Sequence, residues 1–157
     1  MRAWITHTEE ETQKIGAELA RELAPDGVLL LSGDLGAGKT VLARGVAQGL
    51  GIDPGEVQSP TFTLIREHRG SGALGGNTFV HVDLYRLDPG ETERLGLEER
   101  LAGPGVKVVE WAERLPFPVP GARVLRLARR PEGGRTIDEI TEMNETTLEP
   151  GGFDEDP

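Results

Sequence analysis

One octapeptide constrains this chain more than anything else in it. Gly33-Asp34-Leu35-Gly36-Ala37-Gly38-Lys39-Thr40 satisfies G-x-x-x-x-G-K-[ST] at every fixed position. A stretch of this kind works by curling its main-chain amides around an anion, at the point where a buried strand hands over to a helix. Both flanks agree with that demand. Val28-Leu29-Leu30-Leu31 is a short apolar run of the type found in strands covered on both faces, and Lys39 to Leu50 reads as a helix with Gly51 as its C-terminal cap. The expected binding stretch is Gly33, Asp34, Leu35, Gly36, Ala37, Gly38, Lys39, Thr40 and Val41. Lys39 would reach the terminal phosphates of a nucleotide, and the Thr40 hydroxyl would ligate Mg²⁺. The competing explanation is a glycine-rich turn that contains Lys-Thr by accident. With 22 glycines in 157 residues, roughly 0.005 chance matches to the whole pattern are expected.

The remaining chain supplies the rest of a strand–helix alternation. Thr8 followed by Glu11 is a capping-box pattern, and Ile15, Leu19 and Leu23 then recur at helical spacing, so a helix is expected over 9–24, ended by Pro25-Asp26-Gly27. Strands are expected over 61–68, 78–84, 105–110 and 121–128, with a weaker one over 134–140, and a helix over 91–101. The glycine-rich RGSGALGGN stretch between the first two of these strands reads as a hairpin tip. The expected fold is α/β of the P-loop NTPase type, with a mostly parallel or mixed central sheet flanked by helices. Residues 1–141 form one domain in this reading, and 142–157 an acidic tail with little order.

Charge narrows the partners. Residues 132–157 carry nine acidic groups against Arg135 alone, which accounts for −8 of the formal net charge of −10. The body is therefore nearly neutral and lacks the basic footprint for gripping nucleic acid directly. No DNA partner is expected, and any RNA contact would run through another protein. Cysteine is absent, which excludes disulfides and thiolate metal sites. The apolar runs are far shorter than the ~20 residues that cross a bilayer, and MRAWITHTEEE has no signal-peptide core; no membrane association and a cytoplasmic location are expected.

A phosphate loop needs further carboxylates to hold the metal and orient water. Phe79-Val80-His81-Val82-Asp83 is an apolar strand ending in an acid, and Val106-Lys107-Val108-Val109-Glu110 is the same device, with Trp111 beside it. A surface aspartate opening a turn is the plainer reading of Asp83, and many strands end in glutamate. His81 alternates with valines and reads as a packed or hydrogen-bonded histidine. Ser59-Pro60-Thr61-Phe62-Thr63 follows the loop helix, where a nucleotide-sensing switch can lie; from residue type alone it is a turn entering a strand.

SGDLGAGKT, SPTFTL, HVDLYRL and VEW, in that order, resemble the TsaE (YjeE) family, bacterial ATPases of threonylcarbamoyladenosine formation in tRNA. The resemblance is clear over residues 8–112 and weaker to about 137. It implies ATP at the phosphate loop, Mg²⁺ held by Thr40 and Glu110, and Asp83, Glu110 and Lys39 as the catalytic set. It also implies an adenine-side contact near Thr8, a nucleotide contact from Arg135, and a switch-like loop containing Thr61. The partners implied are the TsaD transferase and its TsaB companion, with tRNA reached through that complex. The glycine-rich 70–76 insert and the acidic tail depart from the family pattern. No arginine finger stands out, although Arg44, Arg66 and Arg86 are candidates, so slow hydrolysis without partners is expected. The alternatives are a small-molecule P-loop kinase and a nucleotide-binding regulatory subunit without turnover; a GTPase is disfavoured by the lack of N-K-x-D.

Overall fold

A computed structural model describes residues 2–58, 65–70, 78–88 and 90–140. Its described strands form a seven-stranded sheet: β1 (Ala3–Thr6), β2 (Val28–Ser32), β3 (Ile65–Arg69), β4 (Thr78–Asp83), β5 (Val106–Glu110), β6 (Arg123–Arg129) and β7 (Arg135–Ile140). The spatial order is β1-β7-β6-β2-β5-β4-β3. The four central strands β6, β2, β5 and β4 run parallel, whereas β1, β7 and β3 join antiparallel at the two margins. The sheet is thus mixed around a parallel centre, and β2 occupies its middle.

Helix α1 (Glu9–Leu23) and helix α2 (Lys39–Gly49) cover one face. Alternation along β2 divides the core: Leu29 and Leu31 pack under α1 and α2 with Leu19, Leu42 and Val46, while Val28 and Leu30 join Val82, Leu97, Leu101 and Val109 on the other face. Burying each such side chain contributes ~1.5–3 kcal/mol. The helix pair crosses at glycines. A Cβ on Gly45 would lie 2.0 Å from the Gln13 carbonyl oxygen, and one on Gly16 would lie 2.3 Å from that of Leu42, so any larger residue would push the helices apart.

The Thr8 cap forms as read from sequence, its hydroxyl accepting from the Glu11 amide at 3.1 Å, while the Glu11 carboxylate accepts at 2.8 Å from the amide of His7, one residue before the cap. Helix 91–101 is instead two short helices, α3 (Glu91–Arg94) and α4 (Leu97–Ala102), because Gly96 adopts φ 61° between them. Strand β1 had no counterpart in the sequence reading; it is short, its burial pattern is irregular, and pairing with β7 is what makes it a strand. The SPTFT segment, including Thr61, lies outside the described residues, as do most of the glycine-rich tip and the whole of 142–157.

Candidate nucleotide site

The C-terminal ends of β2, β4 and β5 converge. Register places Asp83 opposite Glu110, and Glu110 opposite Leu31 at the end of β2, so the phosphate loop leaves the sheet beside both carboxylates. This is where parallel sheets gather ligands. The loop needs its glycines for stated reasons. Gly38 sits at φ 104° as the N-cap of α2, a left-handed conformation, and a Cβ on Gly33 would strike the Leu127 carbonyl oxygen at 2.2 Å.

Lys39 is buried, and its ammonium donates to the Gly33 and Asp34 carbonyls at 2.5 and 2.8 Å. Burial lowers its pKa from the usual lysine value; the surrounding carboxylates of Glu113, Glu110, Asp34 and Asp83 oppose that shift. Trp111 covers the same ammonium, with Nζ 4.2 Å from the ring centroid. It does so from φ 58°, the only non-glycine residue with positive φ among those described. Such backbone costs about 1–3 kcal/mol and persists where the surroundings impose it. Here the strained residue follows Glu110 directly, and its indole also packs on Tyr85, centroids 4.8 Å apart.

The Thr40 hydroxyl donates to both Glu110 oxygens, at 2.8 and 3.1 Å. Glu110 is almost fully buried, and His81 meets its second oxygen. Asp83 is also buried, and its carboxylate accepts from the Tyr85 amide at 2.9 Å. Among the described residues no group of three or more His, Cys, Asp or Glu side chains could hold a metal alone. One hydroxyl beside one carboxylate suits Mg²⁺, a hard cation that normally completes its shell with phosphate oxygens and water.

A cleft of about 660 Å³ opens over these groups. Its walls include Leu35, Gly36, Gly38, Lys39, Thr40 and Val41 from the loop and helix α2. Thr8 and Arg135, far apart in the chain, line the same cleft, the first at the start of α1 and the second at the start of β7. Gly33, Asp34 and Ala37 belong to the loop without lining the cleft; the first two face Lys39 through their carbonyls, and Ala37 is buried in the core. Of the arginine candidates, Arg86 lines the cleft. Arg44 is committed to the Val57 carbonyl at 2.8 Å, and Arg66 lies on strand β3.

Two residues were missed by sequence reasoning. Arg129, at the end of β6, donates to the Gly36 carbonyl at 3.2 Å and fills the space a Cβ on Gly36 would need. Glu113, in the 3-10 turn Ala112–Arg114, is buried with one carboxylate oxygen lacking a partner among the described residues. Burial raises its pKa above the usual carboxylate value, against the lowering influence of main-chain groups and of Lys39. Neither residue had a sequence signal: an arginine on a strand and a glutamate in VEWAER are unremarkable until the fold brings them to the loop.

Comparison with known proteins agrees with this geometry. The family model for threonylcarbamoyl adenosine biosynthesis protein TsaE matches residues 6–137. The tRNA threonylcarbamoyladenosine biosynthesis protein TsaE of Bacillus subtilis (strain 168) is 43% identical over 127 residues, covering 81% of this chain and 77% of that protein. The protein of the same name from Streptomyces coelicolor is 42% identical over 138 residues, covering 87% and 90%. Among solved structures, the crystal structure of Bacillus subtilis YdiB matches with a TM-score of 0.64 and 36% identity, over 88% of this chain and 83% of that one. A phosphate loop between β2 and α2, two acids at neighbouring strand ends and a family match spanning most of the chain lead to one assignment: this chain belongs to the TsaE family.

Proposed function

We propose that this chain binds ATP with Mg²⁺ in the cleft over Gly33–Val41 and hydrolyses it during threonylcarbamoyladenosine formation in tRNA. The observation that carries the reading is the Thr40–Glu110 pair, closed at 2.8 Å beside Lys39 and one strand away from Asp83. The loop amides and the N-terminus of α2 would receive the phosphates, and Lys39 would exchange its two carbonyl partners for phosphate oxygens. Thr40 and Glu110 would hold Mg²⁺, which when bound neutralises charge developing on the phosphates. Asp83 would orient the attacking water. Thr8 and Arg135 would flank the nucleoside, and Trp111 would keep bulk water from Lys39.

In this reading the threonylcarbamoyl transfer is carried out by partners, TsaD-like and TsaB-like proteins, with tRNA engaged through them in the cytoplasm. Hydrolysis then serves an assembly or conformational cycle, and turnover is slow without the partner pair. Two measurements test the reading. Glu110→Gln should weaken Mg²⁺-dependent ATP binding about tenfold or more while leaving binding in EDTA close to wild type; unchanged metal dependence would remove Glu110 from the ligand set. ATP turnover should rise on adding the TsaB–TsaD pair, and equal rates with and without the pair would defeat the partner reading.

A further inference from the structure

Strand β4 carries a second polar side chain toward Glu110. His81 is completely buried, and its Nε2 lies 2.5 Å from Glu110 Oε2. Register on β4 and β5 places His81 opposite Val108 and Asp83 opposite Glu110, so the imidazole reaches diagonally across the pair to the carboxylate. The ring is held by packing: Phe79 stacks on it with centroids 5.9 Å apart and planes inclined by 22°. Its other nitrogen, Nδ1, is buried without a partner among the described residues. A proton on Nδ1 would be a donor with nothing to receive it, whereas a proton on Nε2 has the Glu110 carboxylate. Packing thus leaves the ring one productive tautomer, with Nε2–H donating.

Among the described residues Glu110 has two side-chain hydrogen-bond partners, the Thr40 hydroxyl and His81. Only the first is also a metal ligand in the proposed reading. A metal on Thr40 would draw on an oxygen lone pair and could turn its O–H away from the carboxylate, whereas the His81 contact comes from a neighbouring strand and does not depend on the metal. We infer that His81 is a positioning residue: its Nε2–H fixes the Glu110 carboxylate so that the metal-binding oxygen is preset before Mg²⁺ and nucleotide arrive. A histidine suits this task because it spans the distance rigidly from a neighbouring strand and presents one donor, as carboxylate-orienting partners around metal sites commonly do. The inference rests on Glu110 being a metal ligand, as proposed above.

The test uses the full chain and ATP, with binding measured by calorimetry across a Mg²⁺ titration and again in EDTA. His81→Phe keeps the packing and removes the donor. It should raise the Mg²⁺ concentration for half-maximal ATP binding about tenfold and leave affinity in EDTA within twofold; His81→Gln, which can return an N–H to the same place, should restore most of the loss. Unchanged metal dependence in His81→Phe, or an equal loss with and without Mg²⁺, overturns the inference. If Glu110→Gln shifts the metal dependence and His81→Phe does not, the positioning role fails alone; if neither shifts it, the ligand reading has failed beneath it. Should His81→Phe not fold, imidazole ¹⁵N spectra of the metal-free wild type decide: an Nε2–H tautomer supports the role, and an Nδ1–H tautomer removes it.

Discussion

Two lysines sit at opposite ends of the same parallel strands, and their likeness makes their difference informative. Lys39 and Lys107 are both buried, each donates to two main-chain carbonyls, and burial lowers the pKa of both. Lys107 starts on β5 and reaches back to the Asp26 and Gly103 carbonyls, while the Asp26 carboxylate accepts from the Gly105 amide. It ties the turn after α1 to the turn after α4. Among the described residues Asp26 alone opposes its desolvation. Lys39, by contrast, faces four carboxylates and a cleft of about 660 Å³. Burial with carbonyl partners therefore marks structure and function equally. What separates them is whether the charge has somewhere to send its hydrogen bonds when a ligand comes.

That contrast can be broken by substitution. Lys39→Ala should cut ATP affinity about a hundred- to a thousandfold, because phosphate charge loses a desolvated cation, with little loss of folding stability in the empty protein. Lys107→Ala should do the reverse: about 2–3 kcal/mol lost in denaturant unfolding, from a cavity and two deprived carbonyls, with ATP affinity unchanged in the folded fraction. If Lys107→Ala weakened ATP binding as much as Lys39→Ala does, the division between the two ends of the sheet would be false.

A smaller effect sharpens the site side. Glu113 is a buried acid near Lys39 whose pKa is raised, chiefly by burial. Because the folded value lies above the unfolded one, its ionisation opposes folding above the usual value of 4.5 and has no effect well below it. Glu113→Gln should thus stabilise the empty protein by up to about 1 kcal/mol at pH 7, with the gain vanishing on acidification. Thermal melts at pH 7 and pH 4 check it, and a loss at pH 7 would mean that Lys39 needs that charge to fold. The smallest effect belongs to the far margin of the sheet. Arg123 on β6 donates to Glu139 on β7 at 2.7 and 2.9 Å, and this bond, the largest influence, holds the Glu139 pKa below 4.5. The sign is opposite: stability is present above the unfolded value and is lost as pH falls through the folded one. Glu139→Gln should cost about 1 kcal/mol or less at neutral pH, and the difference from wild type should close in acid without any change in ATP affinity.

Much of the site could be read from the sequence because its chemistry is local. The loop is eight consecutive residues, Lys39 and Thr40 are adjacent, and Asp83 and Glu110 each end an apolar run whose strand character shows in its own residues. The placement of Thr8 and Arg135 on one cleft was expected from family resemblance alone, since nothing in either neighbourhood points to the other. The break of 91–101 at Gly96 was open to a stricter reading, as glycine is the residue that makes a left-handed joint inexpensive.

From the sequence alone came the α/β class with a mostly parallel or mixed sheet, the phosphate loop and the two strand-end acids, because apolar periodicity and an eight-residue spacing are properties of a single stretch of chain. Only the tertiary structure decided that β1 closes the sheet against β7, that His81 meets Glu110 across two strands, and that Arg129 and Glu113 meet the loop. Each depends on strand order and register between segments distant in the chain. A hydrogen bond or a desolvated charge made across that distance leaves no mark on the residues nearby in sequence.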